Sequence, residues 1–189
     1  MSALSFVDAC TEEHYAAISL IHAMGWRETY ADAIPKSYMD QEITDQRWIP
    51  FLRECHAGGI NHGLLLYDGK EPVCSAVYGP ARIGAQAHGG TMTIAFDAEQ
   101  YRGWGEIISI YTHPRHTGKG YGHAMVQEIF RRMKAQGFAG SLVYVLRENQ
   151  GARRFYEREG FSWDGNWTEI PFPPDTICND LRYACPFSS

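Results

Sequence analysis

The sequence predicts a single domain of the mixed α/β class, and three observations support this. A chain of 189 residues corresponds to about one domain. Its 44% hydrophobic and 21% charged residues are typical of a globular protein with a packed core. Segments with the period of strands alternate along it with segments of helical spacing. This pattern excludes a disordered chain, a coiled coil and a collagen-like polymer.

The first third of the chain predicts one strand followed by helices. Residues 5–9 favour a strand, and residues 11–24 favour an amphipathic helix for which Thr11 is the expected N-cap. Gly25 is predicted to break this helix. A polar helical region is expected over residues 35–56, because a proline suits the first turn of a helix.

The middle of the chain changes to the spacing of strands. Residues 63–67 and 73–78 are short apolar runs, joined at 68–70 by Asp-Gly-Lys, a hairpin turn signal. The stretch 81–90 is rich in Gly, Ala and His and predicts a loop. Residues 91–96 are expected to add an extra strand.

The last part of the chain alternates strands and helices. Its long helix is predicted to present Tyr121, Met125, Ile129 and Met133 on one face and to stop at Gly137. In chain order, the predicted elements are a strand at 104–112, that helix to about residue 136, a strand at 141–146, a helix at 149–159 and strands at 161–169 and 181–185.

Charge and cysteine content argue against several partners. The formal net charge is −5, whereas proteins that bind the phosphate backbone are usually basic, so no nucleic-acid partner is expected. The five cysteines are odd in number and include no C-x-x-C pair, which argues against a disulfide framework and a zinc ribbon. No apolar run approaches the roughly 18 residues that span a bilayer, and the N-terminus lacks the pattern of a signal peptide. We therefore expect a cytoplasmic protein without a membrane partner.

Three histidines, His113, His116 and His123, lie close together. Because no Cys or carboxylate stands at ligand spacing beside them, we predict that these histidines are solvated loop residues rather than ligands of a metal site. No bound metal is expected.

A glycine-bearing loop at residues 115–122 follows a strand and opens a helix. The first N–H groups of a helix have no internal partners and carry partial positive charge, and the glycines let a phosphate approach them. The loop is not a Walker A motif, because Lys119 is followed by Gly120 rather than by Ser or Thr. It is not a Rossmann fingerprint either, because His123 stands where the third glycine belongs.

The loop resembles the acetyl-CoA-binding loop of the GNAT superfamily of N-acetyltransferases, [QR]-x-x-G-x-[GA], which Arg115, Gly118 and Gly120 match. The strand at 106–112 is similar to the family's fourth strand. The segment at 149–161 is similar to the family's N-x-x-A-x-x-x-Y-x-x-x-G-F. The family resemblance implies a mixed, mostly antiparallel central sheet, flanked by helices, whose fourth and fifth strands splay apart into a wedge for the pantetheine arm.

The resemblance also implies how one acetyltransferase domain, residues 1–189, is organised. Residues 1–60 would form the N-terminal strand and the substrate-side helices. Residues 64–164 would form the acetyl-CoA-binding core, and residues 165–189 the C-terminal strands. The stretch 81–103 is longer than a minimal member needs and is either a substrate rim or an extra strand with a loop.

By resemblance, acetyl-CoA is the cosubstrate and is held largely by backbone groups of the fourth strand and the loop. Lys119 either adds a charge contact or is solvated, and Asn149 contacts the pantetheine, caps its helix or does both. The implied binding residues are Ile110, Tyr111, Thr112, Arg115, His116, Thr117, Gly118, Lys119, Gly120, Tyr121, Gly122, Asn149 and Tyr156.

Two residues are candidates for proton transfer. Tyr156 resembles the family's general acid, since a phenol can protonate a departing thiolate; the alternative is a tyrosine that only packs beside Phe155. Glu106 is the candidate base and is predicted to share a face of its strand with Ile108 and Ile110. Its alternative is a carboxylate in a polar network or on the solvated face. Direct transfer needs no acyl-enzyme.

The predicted acceptor site begins at Trp26 and Tyr30, which resemble a W-x-x-x-Y entry, followed by I-P, in a branch that includes polyamine acetyltransferases. Glu28 and Asp32 would share a helix face, and such an aromatic and acidic pocket suits a cationic amine. Alternatively, the aromatic pair anchors the core and the acids are solvated.

The expected partner is therefore a small-molecule primary amine, and a homodimer agrees with the dimers common among similar proteins. A CoA-binding sensor without catalysis and an acetyltransferase for protein Lys or N-terminal amines remain alternatives.

Overall fold

A computed structural model describes residues 3–87 and 93–188 of the chain. Its strands, in chain order, are β1 (Leu4–Asp8), β2 (His62–Asp68), β3 (Glu71–Pro80), β4 (Gly84–Ala87), β5 (Thr93–Phe96), β6 (Gly105–Thr112), β7 (Gly140–Leu146), β8 (Ser162–Phe172) and β9 (Thr176–Pro186). Its α-helices are α1 (Glu12–Thr29), α2 (Lys36–Glu42), α3 (Ile49–Gly58), α4 (Tyr121–Ala135) and α5 (Gln150–Arg158).

Seven strands form the central sheet in the order β1-β2-β3-β6-β7-β9-β8. Within the described residues, β6 and β7 are the one parallel pair, and the other neighbours are antiparallel. The pairing of β6 with β7 covers only Gly105 to Ile107 opposite Ser141 to Val143. Both strands continue beyond that pairing and separate, which confirms the predicted mostly antiparallel sheet with a wedge.

Helices cover both faces of the sheet. On one face, α4 buries Tyr121, Met125, Ile129 and Met133, as their spacing predicts, together with Val126. On the other face, α1 and α3 pack on β2, β3 and β6. The C-terminal ends of β6 and β7 therefore open between two layers of helices.

The prediction that Gly25 ends the first helix is wrong. The helix α1 begins after its predicted N-cap, Thr11, whose hydroxyl accepts a hydrogen bond from the N–H of His14, and it continues to Thr29. A Cβ added to Gly25 would lie 2.1 Å from a ring carbon of Tyr111. Gly25 is therefore a point of close approach between α1 and β6, and α1 continues through it.

The polar helical region predicted at 35–56 is two helices rather than one. After α2, Ile43 is buried, and the next helix starts only at Ile49 with Pro50 in its first turn. Proline is tolerated in the first turn but not in a helix interior, so the break falls before it.

The stretch 81–103 forms a separate two-stranded sheet of β4 and β5 and a short 3₁₀ turn. Part of the predicted loop at 81–90 is therefore strand β4, while residues 88–90 lie outside the described residues. The predicted strand at 91–96 is β5, except for residues 91 and 92, which also lie outside them. Phe96 and Ala98 are buried, so the stretch packs on the sheet.

A β-bulge in β6 changes which residues share a face. Ile107 pairs with Tyr78 and Ser109 with Val77, so Ile108 has no partner on β3. As a result, Ile110 packs into the same core cluster as Ile107, and the prediction that it shares a face with Glu106 and Ile108 is wrong.

Candidate active site

The loop before α4 has the shape of an anion cradle. His113 caps a short 3₁₀ turn, its ring nitrogen accepting the N–H of Arg115 at 3.2 Å. Gly118 and Gly120 have φ of 76° and 82°, a conformation that favours glycine. Gly120 is the N-cap of α4, and no side chain caps the helix there. The first N–H groups of α4 are therefore left for a ligand.

Three side chains connect the loop to the start of β3. The His116 ring lies 2.9 Å from Oε1 of Glu71 and 3.3 Å from Nζ of Lys119. The bond to His116 lowers the pKa of Glu71. Because the ammonium of Lys119 can only donate, the other ring nitrogen of His116 carries the hydrogen toward Glu71. His116 is only 15% exposed, so the prediction of a solvated loop histidine is wrong for this residue.

Tyr121 anchors the first turn of α4. Its hydroxyl donates to Asp68, the last residue of β2, and this bond raises the pKa of Tyr121. Next to it, a Cβ at Gly122 would lie 3.3 Å from the ring of Phe155. Hence α4 starts close to α5, the helix that carries Tyr156.

Tyr156 lies on α5 and is 6% exposed. It contacts Phe155 and Phe161 edge-on, and burial, with smaller effects of Tyr111 and Cys74, raises its pKa far above the usual value for tyrosine. It therefore keeps its proton at neutral pH. Asn149 caps α5, its Oδ1 accepting the N–H of Ala152 at 2.9 Å. A contact of Asn149 with pantetheine stays a prediction.

Glu106 is fully buried and bound by Arg82. The backbone N–H and the Nε of Arg82 each donate to its carboxylate at 2.9 Å, and a second guanidinium nitrogen donates as well. The guanidinium lies 4.0 Å from the centroid of the Phe96 ring. The stretch 81–103 thus places an arginine over Glu106. The role of Glu106 as base stays a prediction, and it would require the ion pair of Glu106 with Arg82 to open.

Trp26 and Tyr30 stack on each other at 4.5 Å, and Trp26 also contacts Trp48 and Phe172. Both lie close to the hydroxyl of Tyr111, and burial raises the pKa of Tyr30 and of Tyr111. The pair therefore lies against the inner side of β6, at the wedge.

An open cleft of about 780 Å³ lies between the end of α1, the end of β7 and the start of α5. It is acidic, with Glu28, Asp32 and Glu148 in its wall and no basic residue among the described lining. Because α1 ends at Thr29, Asp32 lies beyond the helix, and the two acids share the wall of the cleft rather than the predicted helix face. Leu146 and Cys178 form part of its apolar lining.

Comparison with known families agrees with this geometry. The acetyltransferase (GNAT) family matches the chain over residues 23–161, well over half of its length. The chain belongs to this family. The GNAT acetyltransferase predicted from the loop motif is therefore confirmed, and the protein is an enzyme. Compared with curated protein sequences, this GNAT acetyltransferase has no significant match.

Several solved structures share the whole fold. An N-acetyltransferase from Staphylococcus aureus Mu50 is 18% identical, with 98% of this chain and 99% of that chain covered and a TM-score of 0.70. The PaiA N-acetyltransferase of Thermoplasma acidophilum, in complex with coenzyme A, is 14% identical, with 98% and 99% covered and a TM-score of 0.67. A ribosomal-protein-alanine N-acetyltransferase from Brucella melitensis is 17% identical, with 97% and 99% covered and a TM-score of 0.70. At these identities the similarity shows the common fold.

Two residues at the wedge of this GNAT acetyltransferase were missed by sequence reasoning. Arg82 lies in a stretch predicted as loop, where no periodicity marks it. Asp180 lies just before the strand predicted at 181–185, whereas β9 begins at Thr176. Cys178, Asp180 and Arg182 are two residues apart in sequence, so in a strand their side chains lie on one face of the sheet. This spacing, which puts two charged side chains beside a buried cysteine, was the signal that could have indicated Asp180.

Residues 3–87 and 93–188 hold no cluster of three or more His, Cys, Asp or Glu side chains placed to bind a metal ion. Within the same two ranges, no helix has the length and apolar character to cross a membrane.

Proposed function

We propose that this enzyme transfers an acetyl group from acetyl-CoA directly to a primary amine of a small cationic molecule. The observation that carries the proposal is the wedge. It opens where β6 and β7 separate, between the uncapped start of α4 and the helix that bears Tyr156. Both a donor and an acceptor can approach Tyr156 there from opposite sides.

The donor side fits acetyl-CoA. The backbone of residues 115–122 would hold the pyrophosphate. The part of β6 beyond Ile107, which does not pair with β7, would pair with the pantetheine arm. When bound, acetyl-CoA supplies a thioester whose acetyl group passes to the amine nitrogen, giving an amide, a free thiol and one proton. The PaiA structure, which shares the fold, was solved with coenzyme A.

Tyr156 would act as the general acid. Because burial keeps its hydroxyl protonated, the side chain holds a proton at Oη within electrostatic reach of Tyr111 near the end of β6. Glu106 remains our predicted base, acting when Arg82 releases it. We expect Glu106→Gln to lower activity most at neutral pH and to recover at high pH, where free amine is abundant. A loss that is constant across pH would point to another base.

The acceptor side supports a cationic amine. The stacked Trp26 and Tyr30 present aromatic faces, and three carboxylates line the neighbouring cleft. Aromatic faces and carboxylates both attract ammonium groups, and a dication would gain more from the cleft than a monocation. This agrees with the predicted polyamine-like branch. The homodimer and the cytoplasmic location remain predictions.

The test is release of coenzyme A from acetyl-CoA across a panel of acceptors. The panel contains 1,4-diaminobutane, spermidine, n-butylamine, amino acids, a lysine peptide and a peptide with an N-terminal alanine. We expect the diamine and spermidine to be the best acceptors. A blank without amine is needed, because the exposed Cys10 can react with a thiol reagent. Transfer to the peptides alone would replace the small-molecule function, and donor binding without transfer to any acceptor would favour a sensor.

A further inference from the structure

Asp180 is a half-buried acidic residue with an enclosed Oδ1, and the proposed chemistry does not use it. It lies in β9 directly opposite Leu146 of β7, two residues after Cys178. Cross-strand partners share a face of the sheet, as do residues two apart in a strand. Since Leu146 and Cys178 both line the acidic cleft, the side chain of Asp180 lies on the cleft side of the sheet.

One oxygen of the Asp180 carboxylate lacks a hydrogen-bond donor in the described part of the chain. Its Oδ1 is buried and has no partner among the described residues, whereas both oxygens of Glu106 accept hydrogen bonds from Arg82. A buried carboxylate oxygen without a donor is costly, and such groups persist mainly where a ligand completes them. A primary ammonium offers the N–H donors that Asp180 lacks.

The groups around Asp180 place it beside the wedge. Burial, assisted by Glu148 and opposed by Arg82, raises its pKa to about 7. The Tyr111 hydroxyl is within electrostatic reach of both Asp180 and Tyr156, so the aspartate and the predicted general acid lie near the same phenol. The titratable and charged groups that act on Asp180 come from five parts of the chain: Tyr30 just after α1, Arg82 before β4, Tyr111 in β6, Glu148 before α5 and Cys178 in β9.

We propose that Asp180 binds the ammonium group of the acceptor and takes its proton, which makes Asp180 a catalytic base in addition to, or in place of, Glu106. The inference rests on the proposed transfer to an amine. In this step an N–H bond of the ammonium breaks, its electron pair stays on nitrogen, and the proton bonds to Oδ1 of Asp180. The nitrogen becomes nucleophilic, and Asp180 later returns the proton to solvent.

The protonation behaviour of Asp180 suits this step. An alkyl ammonium has a pKa of about 10.4, so transfer to an ordinary aspartate is strongly unfavourable. With a pKa of about 7, Asp180 makes the same transfer roughly a thousandfold less unfavourable. The carboxylate form, which accepts the proton, dominates above pH 7 and is lost below it.

The first experiment measures binding without catalysis. The full chain, without acetyl-CoA, is titrated with 1,4-diaminobutane by calorimetry at pH 7, in buffers of different ionisation enthalpy. Because a bound ammonium favours ionised Asp180, binding should release about half a proton. Asp180→Asn should release almost none and bind at least tenfold more weakly, and Asp180→Ser serves as a second variant if the first folds poorly. Asp175→Asn, at an exposed turn position, is the matched control and should behave as the native protein.

Two binding results would overturn the inference. One is equal proton release and affinity in the native protein and Asp180→Asn. The other is a native protein that does not bind the diamine at millimolar concentration.

The second experiment measures transfer. The kcat/KM of the native enzyme for the diamine should fall below pH 7, and Asp180→Asn should lose this limb and regain activity only toward the pKa of the amine. If the native enzyme acetylates no amine in the panel, the proposed function fails. If it does so and Asp180→Asn keeps the native rate and pH profile, only the role of Asp180 fails.

Discussion

On the donor side of the wedge, the ligand site consists mainly of backbone: two glycines with positive φ, the uncapped start of α4 and the unpaired end of β6. On the acceptor side it consists of side chains, including Arg82 over Glu106 and Asp180, whose Oδ1 has no hydrogen-bond partner among the described residues. A site of backbone groups needs a particular chain conformation, whereas a site of side chains needs residues from distant segments to meet. Binding of acetyl-CoA should therefore be sensitive to substitutions that change the backbone conformation, and binding of the amine to substitutions that change a side-chain charge.

The largest effect is expected at the acceptor side, from Arg82→Met. Removal of the guanidinium leaves the fully buried Glu106 carboxylate without its charged partner, which typically costs about 3–5 kcal/mol of unfolding free energy.

Urea unfolding of Arg82→Met at pH 7 tests this, with Arg102→Met, whose partner Glu99 is exposed, as the control. The double variant Arg82→Met with Glu106→Gln should recover part of the stability. A loss below about 1 kcal/mol at pH 7 would show that other groups satisfy Glu106.

Tyr156→Phe tests the residue between the two sides. The substitution keeps the ring in its contacts with Phe155 and Phe161 and removes only the acidic proton. We expect kcat to fall roughly 10- to 1000-fold, with the dissociation constant of acetyl-CoA changed less than about twofold. The control is Tyr15→Phe. Tyr15 is a buried tyrosine of α1 that packs in a different core cluster from Tyr156, and this variant should keep native kcat. Native turnover in Tyr156→Phe would remove this hydroxyl from the mechanism.

The donor side is tested by a matched pair of glycines. Gly120 at the start of α4 and Gly137 beyond its end have φ of 82° and 83°, so an alanine at either position costs about 1 kcal/mol of stability. Only Gly120→Ala should also weaken acetyl-CoA binding, by about 30-fold in calorimetry, because it distorts the predicted phosphate cradle. Equal affinities in the two variants would show that the pyrophosphate binds elsewhere.

The same contrast explains how far the sequence could predict this structure. The loop motif, the helix face from Tyr121 to Met133 and the cap at Asn149 depend on neighbours within a few positions, and each was predicted. The prediction at Gly25 was wrong because this glycine makes room for the ring of Tyr111, which belongs to a strand far along the chain. Likewise, no local pattern indicates that Arg82 covers Glu106. Long-range contacts of single side chains determine the acceptor side, so the sequence predicted it least well.

The smallest effect is expected from Glu148→Gln, which removes one exposed charge from the acidic cleft. An exposed charge contributes about 1 kcal/mol or less, so KM for 1,4-diaminobutane should rise about three- to fivefold, and less at high salt. The effect on n-butylamine should be smaller, since a monocation has no second charge to place in the cleft. Because Glu148 raises the pKa of Asp180, the acid limb of kcat/KM should also move to lower pH in this variant. Glu13→Gln, an exposed charge outside the cleft lining, is the control. If both substitutions change KM equally, the cleft does not bind the acceptor, and recognition of the cation depends on the wedge itself.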